Sequence, residues 1–319
     1  MAKSTVHPGR FEKAVLVTRK THLEELIERF NTPAQARFYL EHAGEDFQPV
    51  ETAHLHYHAV LSRVRECIPK SLKQQVIDRT YLPQFLFGDH DLVIPVGIDG
   101  LVVNTAKYLT TQPILAVNPD PATIDGILLP FHPDTVKPAL DRAVRNEFQT
   151  RQVTLAEAAL NDGQNLLAFN DLFVGARSHV SSRYHIQQGG RDEEHSSSGI
   201  IVSTGAGSTG WLQSIYTGAA GVIRALGGKV QPPPGGGRFP WDADRLVYAV
   251  REPFPSKTTQ ASLVYGVITP ESPLELTSHM AENGAIFSDG VEQDYLSFNA
   301  GTTARIGIAA RKARLMVPH

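Results

Sequence analysis

The chain has 319 residues, 41% of them hydrophobic and 20% charged, with a formal net charge of −3. That length suits one large or two ordinary globular domains, and the charge gives no general attraction to nucleic acid or acidic membranes. No apolar run is long enough to span a bilayer, and with one cysteine, Cys67, no internal disulfide can form.

In chain order, "MAKSTVHPGRFEKAV" lacks the apolar core of a secretory signal, and Lys3 and Arg10 alone do not make a transit peptide. With a single cysteine this points to a reducing compartment, the cytoplasm by default. "KAVLVTR" (13–19) is a short apolar run suited to a buried parallel strand. "HLEELIERF" and "AQARFYLEHAG" carry apolar residues at helical spacing, and "ETAHLHYHAVLSRVRECI" (51–68) is a further helix stopped by Pro69. It places His54 and His58 four apart on one face, with His56 between them. Without a third ligand or a glutamate at the zincin position, no metal site is predicted. Cys67, on the same helix, reads as a buried thiol. "FGDHDLVIPVG" is the next strand, its helix runs from about Leu101 to Leu109, and "PILAVNP" (113–119) is a third strand. This alternation predicts a parallel sheet covered by helices, closed by a helix around "TVKPALDRAVRNEF".

The texture then changes. "RQVTLAEAALN", "NLLAFNDLFVGARS", "SSRYHIQQ", "SSGIIVSTG", "LVYAVREP", "ASLVYGVIT", "PLELTSHM", "GAIFSDG" and "ARIGIAAR" read as strands joined by polar turns. One helix, "STGWLQSIYTGAAGVIRAL", interrupts them behind a Ser/Thr pair, and "GGKVQPPPGGGRFPW" (227–241) is a surface loop. The expected fold is an α/β domain over 1–145 followed by a β-rich, antiparallel, sandwich-like domain over 146–319.

Four segments carry candidate chemistry. In "VGIDGL", Asp99 sits between a strand and a helix, flanked by Gly97 and Gly100. It is either a carboxylate beside bound phosphates or a simple helix cap. "SSGIIVSTGAGSTGW" ends a strand in Ser203 and Thr204 and runs through Gly205, Gly207, Ser208, Thr209 and Gly210 into a helix. Small residues there let the backbone approach a ligand while hydroxyls and amides supply donors. No lysine follows the last glycine, so it is not a P-loop. Asn170 and Asp171 interrupt an apolar strand, as ribose or adenine ligands or as a turn. Asp289-Gly290 is a strong hairpin signal that also places a carboxylate at a strand end.

In this order the segments resemble the NAD kinase family, whose signatures are a G-G-D-G-T turn, an N-E or N-D pair, and a glycine-rich S-T-x-T-G-S-T loop. The counterparts are "GIDGL" (97–101), Asn170-Asp171 and "STGAGST" (203–209), and "PILAVNPDPATIDGILLP" matches a family strand and loop with Gly126 at a family glycine. The "SSG" before the loop, "VREP" (250–253) and "HLHYH" look most like the mitochondrial-type branch. The resemblance implies an N-terminal open, Rossmann-like α/β domain and a C-terminal β-rich domain, with the active site in the cleft. It implies transfer of a phosphoryl group from ATP, or polyphosphate, to the adenosine-ribose 2′-hydroxyl of NAD, giving NADP. Asp99 would act as base or positioning carboxylate, and Mg²⁺ would accompany the donor. Gly97, Gly100, Asn170, Asp171, Ser203, Thr204, Gly207, Ser208 and Thr209 would hold nucleotide, with Asp289 nearby. A homo-oligomer, dimer or tetramer, is also implied, with neither nucleic-acid nor membrane partners. The pattern departs where Ile98 replaces the second glycine of the turn and Leu101 its threonine, and where Gly205 and Ala206 replace a proline and a threonine. A β-branched residue adopts positive φ poorly, so Ile98 predicts an altered turn. The alternatives are a dinucleotide binder without turnover and a kinase for another hydroxyl substrate.

Overall fold

A computed structural model describes residues 11–231 and 233–318; the stretch holding Lys3 and Arg10 lies outside the described residues. The described residues form two compact units, one of residues 11–151 with 314–318 and one of residues 152–313. The texture change near residue 145 therefore lies a few residues ahead of the division between units, and residues 314–318 return to the first unit.

The first unit contains β1 (Lys13–Thr18), α1 (His22–Phe30), α2 (Pro33–His42), α3 (Phe47–Cys67), β2 (Lys73–Asp78), β3 (Asp91–Pro95), α4 (Asp99–Ala106), β4 (Pro113–Ile114) and α5 (Val136–Val144). β1 pairs in parallel with β2 on one side and β3 on the other. β3 continues to β4 through Val93↔Ile114, and Arg314 and Leu315 pair with Pro113 and Ile114. Both faces of such a sheet are covered by helices, so its strands are nearly continuous apolar runs: Ala14, Leu16, Leu92 and Ile94 share one core with Tyr57, Val60 and Val64 of α3 and Val136 and Leu140 of α5. Local signals set the helix ends. Thr21 and Glu24 form a reciprocal capping box at α1. Asp46 caps α3 by accepting from the Gln48 amide at 2.9 Å, which starts that helix at Phe47, ahead of the sequence expectation.

The second unit contains the greater part of β5 (Gln149–Leu160), β6 (Asn165–Ala168), β7 (Asp171–Ala176), β8 (Ser182–Gln188), β9 (Arg191–Ser197), β10 (Ile200–Ser203), α6 (Trp211–Ala225), β11 (Leu246–Val250), β12 (Tyr265–Ile268), β13 (Leu274–Ser278), β14 (Gly284–Ser288), β15 (Val291–Ser297) and the greater part of β16 (Thr303–Val317). One sheet runs β12-β11-β10-β7-β14-β15, antiparallel throughout. Another antiparallel set pairs β16 with β13, β13 with β8 and β8 with β9. Their apolar faces share one core, in which Leu172, Val174, Ile200, Val202, Tyr248 and Ile286 of the first sheet meet Tyr184, Ile186, Leu274, Leu276 and Ile306 of the second. That is a sandwich, with side chains alternating inward. The expected α/β and β-rich architecture is therefore present. No helix among the described residues is long and apolar enough to cross a membrane.

Candidate functional site

In open parallel sheets ligands collect at the carboxyl ends of the strands, and the first unit has a cavity there of about 370 Å³. It is lined by Arg19 beyond β1, Ile98 beyond β3, Pro119 and Asp120 beyond β4, and His54, His56 and Tyr57 of α3. Helix α3 is fixed over these strand ends by polar contacts. The Tyr57 hydroxyl donates to the Val96 carbonyl at 3.0 Å and accepts from the Arg19 amide at 3.3 Å, and His56 Nε2 lies 3.0 Å from the Pro119 carbonyl oxygen. Of these residues the sequence reading had singled out Ile98, and His54 and His56 only as helix histidines. Arg19 is the signal it passed over, a cation closing an apolar strand.

The turn after β3 accommodates its isoleucine without strain. Ile98 has φ −113° and ψ 167°, extended backbone that a β-branched residue adopts readily, so no positive φ is imposed on it. Gly97 packs closely, since a Cβ there would lie 3.0 Å from Leu101 Cδ2, whereas Gly100 has nothing within 4 Å of an added Cβ. Leu101 is buried at the threonine position of the motif. Asp99 is the first residue of α4, yet its carboxylate does not cap that helix. It accepts from the backbone N–H groups of Ile127 (3.2 Å) and Leu128 (2.8 Å) and so holds the loop that follows β4. That loop turns at Gly126, with φ +60°, where a Cβ would come within 2.5 Å of Asn118 Nδ2. Gly126 and the "GIDGL" turn thus meet through Asp99.

The second unit assembles the other candidates around β7, β10 and the loop after β10. Asp289 and Gly290 form a two-residue hairpin between β14 and β15 with φ +54° and +70°, as an Asp-Gly pair does in a type I′ turn. Its carboxylate reaches back across the sheet and accepts from the amides of Phe169 (2.9 Å), Asn170 (2.6 Å) and Asp171 (3.2 Å). The hairpin expected of this residue is therefore present, and its carboxylate is engaged by the backbone of residues 169–171. The break between β6 and β7 falls at Phe169-Asn170, so the polar pair turns the chain there and Asp171 opens β7 opposite Ser203.

The glycine-rich loop is clamped onto that break. Thr204 donates its amide to the Asn170 carbonyl (2.9 Å) and its hydroxyl to the Phe169 carbonyl (2.6 Å), and accepts from the Gly207 amide (3.2 Å). A Cβ at Gly207 would stand 2.2 Å from the Asn170 oxygen, and one at Gly205 would stand 2.0 Å from the Pro240 oxygen. These glycines are needed for close approach of backbone to backbone. Ser208 is buried and donates to the Gly205 carbonyl at 2.7 Å. It does not cap α6 as the Ser/Thr pair suggested; a short 3₁₀ turn over Gly207–Thr209 intervenes, with Thr209 exposed. Burial pushes the Asp171 carboxyl up to about 7, with the Ser203 hydroxyl opposing and the Asp289 charge adding to the rise. Its Oδ1 is buried without a hydrogen-bond partner. Such perturbed carboxyls concentrate at functional sites.

No family model matches the chain. A probable NADH kinase of Oryza sativa subsp. japonica is 26% identical over 254 residues, 72% of each chain. Shorter matches, to NAD kinases, span less than half of those relatives' own length. A yeast NADH kinase solved with NADH aligns with a TM-score of 0.60 at 14% identity, covering 98% of this chain and 85% of the other. The chain is a relative of the NAD and NADH kinases. An NAD kinase of Archaeoglobus fulgidus solved with ATP has the same fold at a TM-score of 0.53 and 17% identity, covering 95% and 92%. In this chain the turn around Asp99 belongs to the first unit, and Asn170, Asp171, the 203–209 loop and Asp289 are brought together in the second.

Proposed function

We propose that the protein is an NAD kinase-like phosphotransferase that moves a phosphoryl group from ATP, or polyphosphate, to the 2′-hydroxyl of the adenosine ribose of NAD, giving NADP. The observation carrying this reading is the cluster in which Asp289 grips the backbone of residues 169–171 beside a loop closed by Gly207. The buried Asp171 Oδ1 suits a ribose hydroxyl, which would supply the donor this oxygen lacks. Asn170, Ser203, Thr204, Gly207, Ser208 and Thr209 make up the rest of the dinucleotide subsite, with Asp289 as its support.

Phosphoryl transfer depends mainly on positioning and charge stabilisation. Asp99 is assigned the role of orienting the acceptor hydroxyl and taking its proton, with Gly97 and Gly100 flanking it. Its two oxygens already accept one backbone amide each, which holds the carboxylate in place and leaves lone pairs for a hydroxyl. The same engagement fits Mg²⁺ arriving on the donor's phosphates rather than a resident ion, since Mg²⁺ commonly binds through substrate phosphates with few protein ligands; bound there, it neutralises phosphate charge. The relatives' names and the solved complexes with NADH and ATP support this reading, which includes a cytoplasmic location and a homo-oligomeric state.

The test incubates pure protein with Mg²⁺, NAD or NADH, and ATP or polyphosphate, and measures NADP or NADPH formed. Turnover that falls by roughly a hundredfold or more in Asp99→Asn, with the fold kept, is the expected result. Saturable NAD binding with no product from either donor would leave a binding protein and end the kinase reading.

A further inference from the structure

We infer that the protein has a transition-metal site of the zinc class in its first unit, made by Glu24 of α1 with His54 and His58 of α3. The "HLHYH" segment offers two imidazoles four residues apart on one helix face, and folding brings it the third ligand that the sequence pattern lacks. Ligating atoms of the three side chains all lie within 4.8 Å of one another. His58 Nε2 is 3.0 Å from Glu24 Oε1, and the two imidazole rings stand edge to face at 4.5 Å between centroids. Two atoms bound to zinc at about 2.0–2.1 Å across a tetrahedral angle are about 3.3 Å apart. A few tenths of an ångström of opening would therefore admit the ion between His58 and Glu24.

The surroundings orient the ligands as the outer shell of a metal site does. Glu24 Oε2 accepts from the Thr21 amide at 2.7 Å and the Thr21 hydroxyl at 3.1 Å. His54 Nδ1 lies 2.8 Å from that hydroxyl; with the hydroxyl proton on the carboxylate, Nδ1 would be the donor and Nε2 the nitrogen free to bind a metal. The carboxylate is thus fixed on one oxygen and turned to His58 with the other. The His58 and Glu24 side chains are 42% and 34% exposed, so an ion can enter from solvent. Two imidazoles and one carboxylate give a donor set that selects zinc-like ions over Mg²⁺ or Ca²⁺. Three protein ligands leave a fourth position open, and Thr21 and His54 also line the cavity at the strand ends. The ion would clip α1 to α3 at the rim of that cavity.

A second group, His185, Glu194 and His279, provides the internal control. Its histidines contact opposite oxygens of one carboxylate, at 3.0 and 3.2 Å, and it lies in the second unit.

The experiment strips the full-length protein with a chelator and titrates Zn²⁺ calorimetrically in two buffers of different ionisation enthalpy, repeating with Co²⁺ to read its visible bands. Expected are saturation at one ion per chain with proton release, tetrahedral-type Co²⁺ absorption, no competition from excess Mg²⁺, and a rise in Tm with Zn²⁺. His54→Gln/His58→Gln should lose all four while His185→Gln/His279→Gln keeps them. Glu24→Gln, which retains an acceptor for Thr21, should weaken binding at least tenfold and serves if the double variant does not fold. Stoichiometric binding that survives in both Glu24→Gln and His54→Gln/His58→Gln, loss in the second-unit variant instead, or only weak unsaturable uptake would overturn the site.

Discussion

Each unit carries a turn in which an aspartate holds the backbone of a neighbouring loop, but the two treat glycine in opposite ways. Asp99 accepts from Ile127 and Leu128, and Asp289 from Phe169, Asn170 and Asp171. Around Asp99, position 98 is extended and Gly100 has open space beside it. Around Asp289, carbonyl oxygens close on Gly207 and Gly205 to within 2.2 and 2.0 Å of where a Cβ would stand. A glycine is indispensable where backbone meets backbone, and replaceable where it only borders a turn of ordinary dihedrals. That accounts for an isoleucine being accommodated in the first turn while the second loop keeps its interleaved glycines.

The comparison is broken most forcefully by removing the two carboxylates. Asp289→Ala strands three backbone donors and puts alanine at φ +54°, where it is disfavoured. We expect a loss of roughly 3 kcal/mol or more, read from urea unfolding followed in the second unit. Asp289→Asn, which suits the same hairpin turn, should lose less. Asp99→Ala strands two donors at a more open turn and should cost about half as much. Equal costs would show that the number of amides held is not what distinguishes the two sites.

Glycine itself comes next. Gly207→Ala and Gly205→Ala force the loop off Asn170 and Pro240, an overpacking cost of about 1–3 kcal/mol, together with loss of NAD binding by calorimetry. Gly100→Ala, inside α4 with nothing to meet, should leave stability unchanged or raise it by up to about 1 kcal/mol. A destabilised Gly100→Ala would remove the steric contrast.

These contrasts also explain what the sequence could and could not reveal. The parallel unit was legible because its buried strands "KAVLVT" and "DLVIP" are apolar along their length, and Asp289-Gly290 was legible as a hairpin because both dihedrals demand it. Strands β2, β9 and β15 were missed. All three lie at the ends of their ladders, where only one side is paired; β2 is exposed at four of its six residues, so no apolar alternation marked it. In β9 the inward positions are filled by Glu193 and His195, which bond each other at 2.9 Å, a polar pair that reads as loop in one dimension. The third partner of His54 and His58 was equally invisible, because Glu24 lies thirty residues away and serves α1 as part of its capping box.

A pH-dependent effect follows from Asp171. Its folded-state carboxyl is raised to about 7 from an ordinary 3.8, so between those values the folded chain holds a proton that the unfolded chain has released. Stability contributed by this group is full below about 3.8, falls as pH rises, and is gone above about 7. Asp171→Asn removes the loss. Its unfolding free energy from urea titration should match the parent near pH 4 and exceed it at pH 8 by up to about 4 kcal/mol. Parallel curves at all pH values would separate Asp171 from this titration and weaken its assignment as the carboxyl facing ribose.

Ile98 carries the smallest effect and the sharpest check on the first turn. At φ −113° the isoleucine is unstrained, so restoring the family's glycine relieves nothing and adds backbone freedom to the unfolded chain. Ile98→Gly should therefore destabilise by about 0.5–1 kcal/mol while enlarging the cavity that its side chain helps to line. If the side chain only borders that cavity, turnover with ATP changes little. A large gain in turnover from Ile98→Gly would instead mean that the isoleucine keeps phosphate from the backbone amides of the turn, and that the first turn resembles the second in needing its glycine after all.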